Sequence, residues 1–336
     1  MGVVEQSADT VAQRHSHRPG RHCGSSAIRD LLEFHGLTMT EACCFGLGAG
    51  LGITYVEVPG SATPFIFHVR SMGFEEKVFA TLDVPFAWDA FADKEQASDA
   101  LNEALLGGHP ALLLTDIYHL PYFNSSTHFP GHAIVAWQLD AQRGQVMVSD
   151  TERPGLMPVP ADKLADARFS TSAPFVHYGN MYAPKRIDAE VSPSCMRRAI
   201  VDNAASLMRG DRHSGLAALD TWMAELSRWA TDPNWRWNLR FAYQVIEKRG
   251  TGGSGFRAMY TEFLEEARIQ LPQVRRGGLV EKMSASAAAW SGLAAVLKAG
   301  SEADAFPHIE IETAIRQVRI HEQRYAASAL SVFPDS

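Results

Sequence analysis

The stretch Arg21-His22-Cys23-Gly24-Ser25-Ser26-Ala27-Ile28-Arg29-Asp30-Leu31-Leu32-Glu33-Phe34-His35-Gly36 decides how the first half of this chain is read. Its second part has the spacing of an amphipathic helix. Ile28, Leu31 and Leu32 fall on one face, and Arg29 and Glu33 on the other. Gly36 is a stop signal. Cys23 therefore sits at the mouth of a helix N-terminus, where unpaired N–H groups and the positive end of the helix dipole stabilise a thiolate. The backbone N–H of Cys23 or Gly24 would hold a developing oxyanion at the same place. Cys23 is thus a candidate nucleophile. The plain alternative is a buried structural thiol, since free Cys is among the most buried residue types. The local pattern leaves both open.

The 336 residues give room for two domains and a core that needs no covalent staples. With 46% hydrophobic and 21% charged residues, the composition is that of a soluble globular protein. A formal net charge of -7 argues against nucleic acid or an anionic membrane as the main partner. The four cysteines, Cys23, Cys43, Cys44 and Cys195, form no CxxC pair, which removes zinc-ribbon and thioredoxin readings. So few thiols point to a reducing compartment. Residues 1–20 are polar, carry Arg14, His15, His17 and Arg18, and lack the apolar centre of a signal peptide. They read as a flexible or loosely docked tail, and no apolar run reaches membrane-spanning length. A cytoplasmic location is expected. The 13 histidines show no HExxH-type spacing, so no metal is expected.

From residue 21 to about 188 helix and strand signals alternate. Lys94 to Leu106 reads as a helix, and Pro110 to Asp116 as a buried strand. His132 to Trp137 and Gln145 to Asp150 read as two strands joined by the polar turn Asp140 to Gly144, a hairpin. Ile53 to Val58 and Phe65 to Val69 are further strand candidates. From 193 to 330 the chain is rich in Ala, Leu, Arg and Glu at helical spacing. Six helices are expected there, one of them Ser214 to Ala230, with breaks at Gly210, Asp232-Pro233, Gly250 to Gly255 and Pro272.

A cysteine nucleophile needs a base, and the base an orienting acceptor. His132 follows Pro130-Gly131 at a strand start and so projects from a sheet end, where a base would stand; otherwise it is a loop histidine with a backbone partner. Asp150 closes the partner strand, so an antiparallel hairpin brings it to a ring nitrogen of His132. Alone, Asp150 would be a turn-starting or capping carboxylate. The order Cys23, His132, Asp150, helix-borne thiol then sheet-borne base and acid, is the papain-like arrangement. Asp116, Tyr118 and Tyr122 lie on the loop that returns to His132 and are candidate substrate-binding residues, with Asp116 equally suited to a strand-end cap. His22 adjoins Cys23 but points elsewhere and receives no base role. The run Gly46 to Gly52 precedes a strand rather than a helix, so it reads as a flexible wall or tight turn, not a phosphate cradle. Arg249 to Arg257 is Gly-rich before a helix but lacks the Gly-Lys-Ser/Thr of a P-loop. A helix connection is favoured there over phosphate binding. Trp222, Trp229, Trp235 and Trp237 read as core or interface packing.

The segment 22–36 together with Phe45-Gly46-Leu47-Gly48-Ala49-Gly50-Leu51 resembles the butirosin biosynthesis protein H family. Glu247-Lys248-Arg249-Gly250-Thr251-Gly252-Gly253 with Phe256-Arg257 and Tyr260 resembles the helical domain that usually follows it. The resemblance implies an α+β chain: a papain-like domain over 21–188, then a mostly helical domain over 189–336. It implies an acyltransferase of natural-product, including antibiotic, biosynthesis. The donor would be a carrier-protein thioester, whose phosphopantetheine travels with the carrier, or a small acyl thioester. The acceptor would be a small-molecule amine. The family's Cys, His and acid positions fall on Cys23, His132 and Asp150.

The expected chemistry is therefore transfer through an acyl-Cys23. The same three residues could serve a hydrolase (amidase, peptidase or thioesterase), which differs only in the nucleophile that discharges the acyl group. A non-catalytic binding or scaffold protein of the same fold is the rival from another class. The long helical half is expected to supply a lid or a self-association surface, the latter giving a homodimer.

Overall fold

The computed structural model describes residues 17–58, 64–172 and 176–334. Residues 1–16 of the expected tail lie outside them. The chain is mixed α/β with a helical C-terminal region, in two compact units. The described residues of the first fall within Met1–Cys44 and Asp83–Glu190, and those of the second within Phe45–Leu82 and Val191–Ser336. No helix among the described residues is long and apolar enough to cross a membrane.

In the first unit, helix α1 (Cys23–Phe34) precedes a five-stranded sheet. The strands are β3 (Ala111–Thr115), β4 (His132–Asp140), β5 (Gln145–Ser149), β6 (Met157–Pro160) and β7 (Met181–Tyr182), in the order β6-β5-β4-β3-β7. Every neighbouring pair is antiparallel. The first six positions of β4 are all buried, as a strand covered on both faces must be. On one face Leu113, Ile134, Ala136, Val146 and Val148 form a core with Leu101 and Leu105 of the helix Lys94–Leu106. On the other lies α1. Its Phe34 meets the ring of Trp137 edge-on, and its Asp30 accepts from Ser149 Oγ, which in turn accepts from Trp137 Nε1. Ile28, Leu31 and Leu32 are fully buried, each contributing about 1.5–3 kcal/mol of burial. Arg29, expected on the polar face, is buried beside Asp30 instead. Residues 17–20 cover it: the carbonyl of Arg18 accepts from Arg29, His17 Nδ1 lies 2.5 Å from Asp30, and Gly20 N–H donates to the Thr151 carbonyl. This end of the expected tail is firmly docked.

In the second unit the hairpin β1 (Leu51–Glu57) and β2 (Phe65–Arg70) packs with the C-terminal helices. Arg257, fully buried, pairs with Glu322 at 2.7 Å and donates to the carbonyls of Val69, Gly255 and Gly52, fastening the hairpin to the helices. Ser286 and Trp290 also donate to Glu322. Burial opposes ionisation of Glu322, but Arg257 and these donors outweigh it and hold the carboxyl below its ordinary value. Trp222 and Trp229 are buried against Tyr55, whereas Trp237 is exposed.

The glycines 46–52 are a close-packing device rather than a flexible wall. A Cβ on Gly46, Gly48 or Gly50 would lie 2.1 to 2.6 Å from the rings of Phe263, Phe74 or Phe45, and one on Gly52 would lie 2.4 Å from the Arg70 carbonyl. The second Gly-rich segment turns sharply through positive φ at Gly250, Gly252, Gly253 and Gly255. Its Ser254 N–H is taken by the carboxylate of Glu247, an anion where a phosphate would have to sit. It serves as a connection.

Candidate active site

Helix α1 starts one turn earlier than its apolar pattern, at Cys23 itself. His22 is the N-cap, and its Nδ1 accepts from Ser25 N–H at 3.1 Å. Glu41 accepts from the N–H groups of Arg21 and His22 at 2.8 and 2.9 Å and from Ser25 Oγ, so the chain entering the helix is clamped. In an α-helix the first-turn N–H groups have no intrahelical partner. The Gly24 N–H donates to nothing among the described residues. Cys23 is half-buried, with Sγ 4.0 Å from the Gly131 carbonyl.

His132 opens β4 opposite Thr115, the last residue of β3, whose Oγ1 donates to the His132 carbonyl. The hairpin of β4 and β5 has the expected turn and brings Asp150, one residue beyond β5, to the imidazole. Nε2 lies 2.8 Å from Oδ1 and 2.9 Å from Oδ2 of Asp150. Cys23 lies near enough to add to the proton affinity of the His132 imidazole. Nε2 is committed to Asp150, which leaves Nδ1 as the ring nitrogen available to a thiol. Both His132 and Asp150 are buried.

The electrostatics follow from that burial. Desolvation works against an imidazolium at His132, but the Asp150 charge and hydrogen bond, and then Cys23, overcome it and raise the pKa well above the ordinary histidine value. Burial likewise works against a charged Asp150. His132, Tyr122 and the Thr151 N–H outweigh it and hold the carboxyl below its usual range.

The three loop residues have distinct placements. Tyr122 donates from its hydroxyl to Asp150 Oδ2 at 2.6 Å. Asp116 is buried as a cap: Oδ1 accepts from the N–H groups of Tyr118 and Phe129, and Oδ2 from Ser170 Oγ and His128 Nδ1 at 2.7 and 2.6 Å. Burial alone would raise the Asp116 pKa, yet Ser170, His128 and the backbone donors lower it. Tyr118 is exposed and stacks on His128, ring centroids 4.1 Å apart. Asp116, His119 and His128 could together offer ligand atoms to a metal, but each Asp116 oxygen already accepts two hydrogen bonds.

Sequence patterns missed three parts of this site. Arg153 lies over the rings of Tyr122 and Phe123, 5.5 Å from each centroid. Phe123 meets His132 edge-on at 5.2 Å. His17 bonds to the Arg153 carbonyl at 2.7 Å through Nε2. The one available signal was aromatic and basic residues on the segments flanking the pair.

A family model described as butirosin biosynthesis protein H, N-terminal, matches residues 22–151. A second, described as a domain of unknown function (DUF4872), matches residues 162–329. No curated protein matches the chain.

Proposed function

From the premise that the chain belongs to the butirosin biosynthesis protein H family, we propose that it is a papain-like acyltransferase of natural-product biosynthesis that works through an acyl-Cys23 intermediate. The observation that carries this reading is a buried imidazole held on Nε2 by Asp150, with the Cys23 thiol at a helix start against the Gly131 carbonyl, next in the chain to His132. With Asp150 ionised and His132 retaining its proton, the Cys23 thiol gives up its own most readily as a thiolate–imidazolium pair.

The donor is an acyl or aminoacyl thioester, on a carrier protein or a small thiol. The Cys23 thiolate attacks the carbonyl carbon, a C–S bond forms, and the Gly24 and Cys23 N–H groups receive the oxyanion. Collapse breaks the donor C–S bond, and the departing thiolate takes the proton from His132. An amine then attacks the acyl-Cys23, His132 accepts the proton the amine loses, and the Cys23 thiolate leaves. Thioester-to-amide transfer is downhill, so no nucleotide is consumed.

Intact-protein mass spectrometry of wild type and Cys23→Ala with a panel of acyl thioesters, chased with amines, tests this. An adduct on wild type alone, discharged faster by an amine than by buffer, is expected. Equal discharge by buffer would make the protein a hydrolase. No adduct from any thioester, together with sluggish alkylation of Cys23, would refute the catalytic reading.

A further inference from the structure

The carboxylate of Asp150 is clamped from both sides. The Thr151 N–H donates to Oδ1 and the Tyr122 hydroxyl to Oδ2, each at 2.6 Å, and His132 Nε2 sits between the two oxygens. Tyr122 is in turn held: the Arg153 guanidinium lies over its ring and donates to its carbonyl at 3.0 Å. We infer that Tyr122 is a positioning residue, a fourth member of the Cys23–His132–Asp150 set, which fixes the Asp150 carboxylate and sets how strongly it holds the His132 proton. This role rests on the acyl-Cys23 reading only for its consequence in turnover, since the effect on His132 exists in the resting protein.

The physical argument is a competition for one buried anion. A charged carboxylate short of a donor in a dry site is costly, and every remaining donor is then held more tightly. With the phenol present, Oδ2 shares its charge between Tyr122 and the imidazolium. Without it, the imidazolium is the one partner that Oδ2 keeps among the described residues. Burial and the adjacent Asp150 charge both raise the Tyr122 pKa, so the phenol stays a donor wherever the protein is folded. Among the described residues, the charged or titratable groups facing this set are Cys23 on the helix, Arg153 on the turn after β5, and Tyr122 itself. Arg153 carries a fixed charge, which leaves Tyr122 as the adjustable donor.

The test is the titration of the His132 imidazole, followed by nitrogen-detected NMR on the full chain, in Tyr122→Phe, Asp150→Asn and a protein carrying 3,5-difluorotyrosine at 122. Phenylalanine keeps the ring for Arg153 and Phe123 and removes only the hydroxyl. The His132 pKa is expected to rise by about one unit, roughly a tenfold change in proton affinity. The fluorinated phenol, a stronger donor, moves it down, as does Asp150→Asn. If Tyr122 instead contacts substrate or merely fills space, the Tyr122→Phe and difluorotyrosine titrations will coincide with wild type, which overturns the inference. Should Tyr122→Phe fail to fold, the difluorotyrosine protein still decides by the sign of its shift. Movement of His132 in a protein that never forms an adduct would separate the two ideas: the positioning role would stand and the acyltransferase reading fall.

Discussion

Replacing Asp150 by Asn removes the charge that His132 faces while keeping nearly the same shape. The two groups touch at 2.8 Å in a buried site, so their charge centres are close and poorly screened. At an effective dielectric near 20, unit charges ~4 Å apart attract by about 4 kcal/mol. The amide keeps part of the hydrogen bond, and a net loss of about 2.7 kcal/mol corresponds to roughly two pKa units at His132. Burial, which opposes the imidazolium, is unchanged and is no longer outweighed. The thiolate–imidazolium pair is then disfavoured by the same ~2.7 kcal/mol against the neutral thiol and imidazole. Alkylation of Cys23 by iodoacetamide at about pH 6, where an unpaired thiol is almost wholly protonated, should slow roughly 100-fold. The assay is the alkylation rate across the acid and neutral range, read by intact mass, with far-UV circular dichroism to show that the variant is folded. A rate within about twofold of wild type at that pH would refute the reasoning, because roughly two pKa units cannot vanish from the profile of a thiol that depends on this imidazole.

Three further outcomes follow from the same structure. Asp150 has a lowered pKa and His132 a raised one. The stability that wild type holds over Asp150→Asn should therefore be full between about pH 4 and pH 6.5, the ordinary values of the two groups. It should decline below that window as Asp150 takes its proton and above it as His132 loses its own, as measured by urea unfolding at a series of pH values. Gly46→Ala places a methyl 2.1 Å from the Phe263 ring and should cost about 1–3 kcal/mol in the same assay. Arg257→Met strands the fully buried Glu322 and should cost about 3–5 kcal/mol, whereas Arg257→Met with Glu322→Leu should recover part of that loss.

The placement of the three candidate residues was legible because each stands at an element end that sequence signals mark: a helix mouth, a strand after Pro-Gly, and the close of a hairpin with a polar turn. The helix Lys94–Leu106 and the strands of that hairpin lie where periodicity puts them. Shorter elements escaped. The helices Phe74–Thr81 and Ala161–Arg168 have only two turns, too few for a 3.6-residue repeat to stand out. The single helix expected over Ser214 to Ala230 is two, Gly215–Ala224 and Leu226–Thr231, divided at Glu225 with no glycine or proline to announce it. Strand alternation places β1 and β2 in a sheet but does not say which hydrophobic body they join, and they pack with the second unit. The Tyr122–Asp150 bond joins residues 28 apart through side chains alone, which no local pattern encodes.

The docked segment before Cys23 bears on how a shortened protein could be designed. The matched region begins at residue 22, an inviting place to cut. Cutting there would strip His17 from Asp30 and from the Arg153 carbonyl, and Gly20 from the Thr151 carbonyl. The Asp30 carboxylate would then lose one partner and be left to Arg29 and Ser149, and the turn that carries Asp150 would lose its backing. A minimal fragment that keeps these contacts therefore has to start upstream of His17, and a fusion partner needs its spacer before that residue.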